Sequence, residues 1–253
     1  MQIRDIGLSV LKGGRHTTRE NVLLEAHGPA EDRLFAVVDL ADGRVLKTVE
    51  HPLLLTCRAR WDDGVLSVDI GGRQVAATPE SNGQTLTLDY WGRAVDMHVV
   101  GGPWALAFSR LLGKDVALAQ INAPGGVVYG DSVTLVTTSS LRRLADEAGT
   151  TIDARRFRST FTLDTGDAAA HVEDSWAGRE LDLGSARLLV AGGIPRCAVI
   201  DLDPDTGARG TNLLKTLARY RMSGSDIPFG VYAQVIRPGI VGCGDHVQVL
   251  PES

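Results

Sequence analysis

Aromatic residues are scarce, with Phe, Trp and Tyr making up 5% of the 253 residues. A chain so poor in rings offers little platform for the stacked bases of a single-stranded nucleic acid. Positive charge is not in excess either. Lys and Arg number 26 against 31 Asp and Glu, a formal net charge of −5, so no global field draws in a nucleic-acid polymer. Three cysteines (Cys57, Cys197 and Cys243) are odd in number and widely spaced. They make a poor disulfide framework and fit a reducing compartment. No apolar run approaches the ~18 residues of a membrane span, and Met1 to Asp5 lacks the charged-then-apolar order of a secretion signal. A cytoplasmic protein with no membrane partner is expected. CxxC, HExxH and paired-histidine spacings are missing, as are a Walker loop and a GxSxG elbow, which removes the common zinc, P-loop and hydrolase chemistries.

The chain has length and apolar content enough for a full core, 43% of it hydrophobic. Its first hundred residues read as short strands joined by glycine turns. Residues 34–39 and 44–48 flank Asp42-Gly43, and 53–60 precede Asp62-Asp63-Gly64. Residues 65–70 alternate before Gly71-Gly72, and 84–90 and 94–100 flank Trp91-Gly92-Arg93. Such a series predicts a barrel or sandwich. Helices are expected over 103–113, from Ser139 or Ser140 to Gly149, and over 211–221. Strands are expected at 179–190, 197–202, 230–236 and 245–250. The Gly/Pro-rich stretch 122–131 reads as a connection. The fold class is therefore mainly β, a β-barrel with a few helices, divided into a β-rich unit at 1–120 and a second at 121–253.

The segment with the most chemical content is Ile194-Pro195-Arg196-Cys197, followed by Asp203-Pro204-Asp205-Thr206-Gly207. A guanidinium beside a thiol favours thiolate, the form that attacks, carries sulfur or binds a soft metal. Around it stand further landmarks: Asp131, Ser139-Ser140-Leu141, Asp153 to Arg158, Glu173 to Trp176, Leu214 to Arg221 and Phe229 to Tyr232. Their order and spacing resemble the MOSC domain, named for the carboxy-terminal part of molybdenum-cofactor sulfurases. Val10-Leu11-Lys12, Glu31 to Phe35, and Lys47-Thr48 before His51-Pro52 are similar to the β-rich domain that precedes it in amidoxime-reducing relatives.

The resemblance implies a molybdenum cofactor, Mo-molybdopterin, with Cys197 as metal ligand and catalytic residue. For the pterin phosphate it implies Lys12, Arg33, Ser139, Ser140, Arg156, Arg158 and Thr160. An extended segment would put Arg156 and Arg158 on one face. The family pattern Asn-Phe-Arg-Pro-Asn becomes Arg156-Phe157-Arg158-Ser159-Thr160 here, and Gly13-Gly14 replace a serine and cysteine after Lys12. Those glycines offer backbone N–H groups in place of the hydroxyl. Ser139 and Ser140 read either as phosphate donors at a helix start or as plain caps. Cys57 reads as a core thiol and Cys243 as part of a turn.

Two activities and a third state follow from the resemblance. One is a reductase of N-hydroxylated small molecules, the metal cycling between Mo(IV) and Mo(VI) and the electrons coming from a separate electron-transfer protein, since three cysteines cannot build a four-thiolate cluster. Another is a sulfur or cofactor carrier that uses Cys197. The last is a barrel whose pocket has lost the metal.

Overall fold

The computed structural model describes residues 1–122 and 125–251. Residues 123 and 124 of the expected connection lie outside the described residues. The fold is mainly β, with a curled half-barrel sheet. That sheet has eight strands in the order Val247–Val249, Glu180–Leu183, Ala186–Pro195, Pro228–Arg237, Val133–Thr137, Phe161–Asp164, Gln2–Leu8 and Thr17–Arg19. Only one of its neighbour pairs is parallel, Val133–Thr137 beside Phe161–Asp164. A parallel pair needs a crossover, and helix α2 (Thr138–Ala148) is its main element. Ile6, Leu24, Leu135, Phe161, Leu188 and Val231 sit in the apolar core of this sheet.

The chain's first strand thus belongs to a sheet built mostly by its second half. Asn21–Glu25 likewise pairs with Gly239–Gly242. The rest of the first half forms a five-stranded sheet from Glu80–Tyr90, Arg93–Gly101, Ala117–Ile121, Phe35–Asp39 and Arg44–Val45, and a three-stranded one from Arg58–Asp62, Val65–Ile70 and Arg73–Ala77. Helix α1 (Trp104–Leu112) packs Trp104 and Phe108 into the core between them. It ends at Gly113, whose φ of 67° is the left-handed conformation expected of a C-terminal glycine.

Several expected elements differ. Residues 179–190 are not one strand but parts of two, Glu180–Leu183 and Ala186–Pro195, paired antiparallel. Residues 53–60 are not one strand: Pro52–Thr56 form a 3-10 turn, with proline in its first turn, and the strand begins at Arg58. Residues 197–202 are not a strand either. Cys197 caps a second 3-10 turn, Ala198–Asp201. The segment after Asp153 is a third, Ala154–Phe157, because the Asp153 carboxylate accepts the Arg155 N–H at 2.9 Å and starts a tight turn. Helix α2 is capped two or three residues earlier than expected, by Thr137, whose hydroxyl accepts the Ser140 N–H. Helix α3 (Leu213–Arg221) falls inside its expected range.

Candidate cofactor site

The strand Ala186–Pro195 delivers Arg196 and Cys197 to a shared edge with opposite fates. Cys197 is exposed. The Arg196 guanidinium turns inward: Nε donates to the Phe229 carbonyl at 2.7 Å, Nη1 to the Phe157 carbonyl at 2.9 Å, and the group lies 5.1 Å from the Phe157 ring centroid. Its Nη2 is buried without a hydrogen-bond partner. Burial pulls the Arg196 pKa down to about 10, with Tyr232, Cys197 and Glu173 as the opposing electrostatic neighbours.

The Asp-Pro-Asp-Thr-Gly segment is a clasp on this loop. Asp203 Oδ1 accepts the N–H groups of Asp205 and Thr206. The Asp205 carboxylate takes both terminal nitrogens of Arg155, at 3.0 and 2.8 Å, while Arg15 from the first half donates to its carbonyl at 2.6 Å. Gly207 has φ +73°, and a Cβ there would stand 2.2 Å from the Pro52 carbonyl oxygen. Only glycine allows that approach.

Lys12, Arg33 and Arg158 form one cluster of cations, in which Lys12 also has Cys197 as an electrostatic neighbour. The Ser9 carbonyl accepts the Arg33 N–H at 2.8 Å, the Phe35 N–H donates to the Val10 carbonyl at 3.1 Å, and Lys12 N–H donates to the Phe35 carbonyl at 2.7 Å. The buried Asp32 carboxylate accepts the Ser9 N–H and pairs with the Arg33 guanidinium, fixing that arginine. The Lys12 amine is pushed well below its ordinary pKa by burial first, then by the charges of Arg33 and Arg158, against the pull of Asp32 and Cys197. Arg158 is drawn down to about 10 by burial and then by Arg33. Its Nη2 is also buried without a partner. Both arginines sit at positive φ, 52° for Arg33 and 53° for Arg158, a conformation that non-glycine residues adopt at a cost. His16, buried behind them, is held neutral by burial and then by Arg158 and Arg33.

The remaining sequence-derived contacts point elsewhere. Ser139 and Ser140 are buried, and their N–H groups donate to the hydroxyls of Thr165 and Thr137. The Ser140 hydroxyl donates to the fully buried Glu173 carboxyl at 2.8 Å. The start of α2 therefore already has an acidic partner from within the fold, and no open donor faces an external phosphate. The Thr160 hydroxyl is buried and accepts from the Thr134 N–H at 3.2 Å. Arg156 does not share a face with Arg158, because the segment is a tight turn and not extended; its Nη1 donates to the Leu202 carbonyl at 2.6 Å and braces the clasp. The Gly14 N–H is used by the Leu11 carbonyl. Cys57 is fully buried, its thiol pushed up to about 11 by burial. Cys243 is exposed in a turn, where its thiol lies 3.4 Å from the Arg19 carbonyl.

Sequence reading also missed several groups at this site. The Lys12 ammonium lies 5.2 Å from the centre of the Tyr90 ring. Trp91, Tyr129 and Tyr232 form a row, with ring centres 5.0 and 6.4 Å apart. A bulky residue in the Trp91-Gly92 turn, where small residues are preferred, was the available signal for Trp91. Tyr232 stands in the Phe229 to Tyr232 landmark, but nothing in the sequence assigns it a role. A cleft of about 580 Å³ lined by Ile6, His16, Leu141, Arg142, Arg155 and Ser159 does not include Cys197, Lys12 or Arg33. Two of its cations are already engaged, Arg142 by the Gly166 carbonyl and Arg155 by Asp153 and Asp205, so the charge of the Cys197 site is a better guide than concavity.

Among the described residues no helix is long and apolar enough to cross a membrane, and no group of three or more His, Cys, Asp or Glu could hold a metal ion. Residues 113–248 match the MOSC domain and residues 8–115 match the MOSC N-terminal beta barrel domain. The chain belongs to the MOSC domain family. It is 30% identical over 143 residues to a molybdenum cofactor sulfurase of Drosophila grimshawi, covering 52% of this chain and 18% of that protein. It is also 30% identical over 135 residues to the human mitochondrial amidoxime-reducing component 1, covering 49% of this chain and 39% of that one. These matches span well under half the length of either relative. Among solved structures, the YuaD protein of Bacillus subtilis aligns over 98% of this chain and 94% of its own, at 12% identity and a TM-score of 0.48.

Proposed function

We propose that this protein binds a molybdopterin-type molybdenum cofactor at Cys197 and reduces N-hydroxylated small molecules with electrons from a separate donor protein. The observation that carries the reading is the pair of buried guanidinium nitrogens left without partners, Arg196 Nη2 next to the exposed Cys197 and Arg158 Nη2 in the cluster with Lys12. A buried, unpaired cation is costly in a folded protein unless a counter-charge arrives. An anionic, phosphate-bearing cofactor supplies one, so the residues present fit the group. A metal at Cys197 would bring most of its ligands with it, which suits a dithiolene-bearing pterin.

Once bound, the cofactor supplies two-electron oxygen removal: an N–OH group takes up two electrons and two protons and leaves as N–H and water. The chain's own groups do the rest. Cys197, exposed just past the end of Ala186–Pro195, would hold the metal. Arg158, Arg33 and Lys12 hold the anionic end, with Asp32 keeping Arg33 in place. Arg196, anchored on two carbonyls, sets a positive charge behind the thiolate. The clasp from Asp203 to Gly207 ties this loop to Arg15 and Pro52, so both halves of the chain define the position of Cys197. Electrons arrive from outside these 253 residues, whose three cysteines are too few for a four-thiolate cluster.

The test is molybdenum content after production in a cofactor-making host. Near-stoichiometric metal in the wild type, with little in Cys197→Ser, is expected, together with reduction of an amidoxime when a donor is added. A metal-free wild type from a host that loads another molybdoenzyme would overturn the reading. The exposure of Cys197 also suits a second reading, in line with the similarity to molybdenum cofactor sulfurases: a persulfide carrier. Mass spectrometry of Cys197 for one added sulfur atom distinguishes the two.

A further inference from the structure

The hairpin joining Glu80–Tyr90 to Arg93–Gly101 carries a tryptophan where its geometry asks for a small residue. Trp91 and Gly92 have φ of 57° and 78°, the pair of positive values of a two-residue turn that favours Asn, Asp or Gly. Trp91 is also 57% exposed, so core packing does not explain it. Its ring is nonetheless held. Tyr129 meets it edge-on, with centres 5.0 Å apart and planes at 73°, and the Lys47 ammonium lies 4.6 Å from its centre. Both geometries are favourable contacts for an indole face.

The wall so formed connects to the site at both ends. Tyr90, the residue before Trp91, is buried and meets Lys12. Tyr129 leads to Tyr232, which has Arg196 and Cys197 among its electrostatic neighbours. Gly130, at φ +74°, leaves room for this row: a Cβ there would stand 2.9 Å from the Tyr232 ring. An exposed indole, oriented by two neighbours and joined through Tyr129 and Tyr232 to the surroundings of an exposed thiol, has the form of a preorganised stacking surface.

We propose that Trp91, oriented by Tyr129 and Lys47, is a specificity-determining residue that stacks the planar aromatic ring of an N-hydroxylated substrate and selects it over an aliphatic one. The proposal rests on the reductase reading for the chemistry of the N–OH group, but the stacking surface itself does not depend on it. Trp91→Asn is the variant of choice, because asparagine accepts positive φ and keeps the turn.

With the molybdenum-loaded protein and an electron donor, the wild type is expected to reduce benzamidoxime with a kcat/KM at least tenfold above that for acetamidoxime. Trp91→Asn lowers the benzamidoxime value at least fivefold and leaves acetamidoxime unchanged. A parallel loss on both compounds, or on neither, overturns the proposal and leaves the reductase reading intact. Binding gives a second readout without turnover. Benzamidoxime is expected to quench indole fluorescence saturably in the wild type and not in Trp91→Asn, while acetamidoxime quenches neither. If neither compound is reduced yet this quenching pattern holds, the stacking surface stands and the reductase reading fails. If benzamidoxime gives no saturable quenching in the wild type, the surface is not a binding site.

Discussion

Arg155 and Arg158 stand three residues apart around one tight turn, and the fold treats them in opposite ways. Arg155 meets two carboxylates at once: Nε and Nη2 donate to Asp153, and Nη1 and Nη2 to Asp205. Those partners push its pKa up. Arg158 turns the other way, with Nη2 buried and unpartnered and its pKa drawn down to about 10 by burial. Folding accounts for the first arginine, which ties the Cys197 loop to the rest of the molecule. It does not account for the second, since the surroundings of Arg158 add like charges from Arg33 and Lys12, offset by Asp32 and Tyr90. On the proposed reading, a guanidinium kept inside on those terms is offset by the external anion of the cofactor.

The sharpest way to break that comparison is to remove each cation in turn. Arg158→Met is expected to lower molybdenum content at least tenfold. The metal-free protein should hold or gain stability, by about 1–3 kcal/mol, because an uncompensated charge leaves a buried position. Elemental analysis and urea unfolding of the same preparation report the two effects. A variant that loses stability and keeps its metal would mean that the fold itself uses Arg158.

Arg155→Met should do the reverse. Asp153 and Asp205 lose a shared bidentate partner, and unfolding free energy falls by about 2 kcal/mol, the partial exposure of all three groups holding the figure down. Metal content falls less than in Arg158→Met, since Arg155 reaches the site only through the clasp. If urea unfolding shows the two variants equally unstable, the distinction between a structural and a receptive arginine is wrong.

Much of this was legible along the chain and some of it was not, for reasons of range. The hairpins around Asp63-Gly64 and Trp91-Gly92 declare themselves because the turn chemistry is local, as are the start and stop of α1. Arg196-Cys197 and the Asp203 to Gly207 clasp are compact, and their residue types state their chemistry. Ser139 and Ser140 look like phosphate donors only while Glu173 is unseen; that carboxyl lies 33 residues beyond Ser140 and arrives by tertiary packing. Thr160 is taken up by Thr134 in the same way, 26 residues away. An extended segment would have put Arg156 and Arg158 on one face, whereas the side-chain cap from Asp153 winds it into a tight turn. The sheet membership of Gln2–Leu8 could not be read at all, because its partner strand lies more than 150 residues downstream.

The smallest effect tests whether an unpartnered buried group must always await a ligand. His171 has both ring nitrogens buried without partners, yet it lies between Tyr220 and Phe229, with Arg221, Asp174 and Arg143 as its charged neighbours. Burial, then Arg221, brings its pKa down to about 4. It can escape its cost by staying neutral, which an arginine cannot do. The unfolded chain takes up a proton near pH 6.5 and the folded one near pH 4, so stability is full above pH 6.5 and is lost as pH falls through that window. About 1 kcal/mol should disappear between pH 7 and pH 5 on this account, allowing for a ring that is not wholly enclosed. His171→Asn, which tolerates the left-handed backbone at φ 63°, should flatten that part of the slope in urea titrations at successive pH values, leaving the share due to His16. An unchanged slope would mean that His171 is paired in solution.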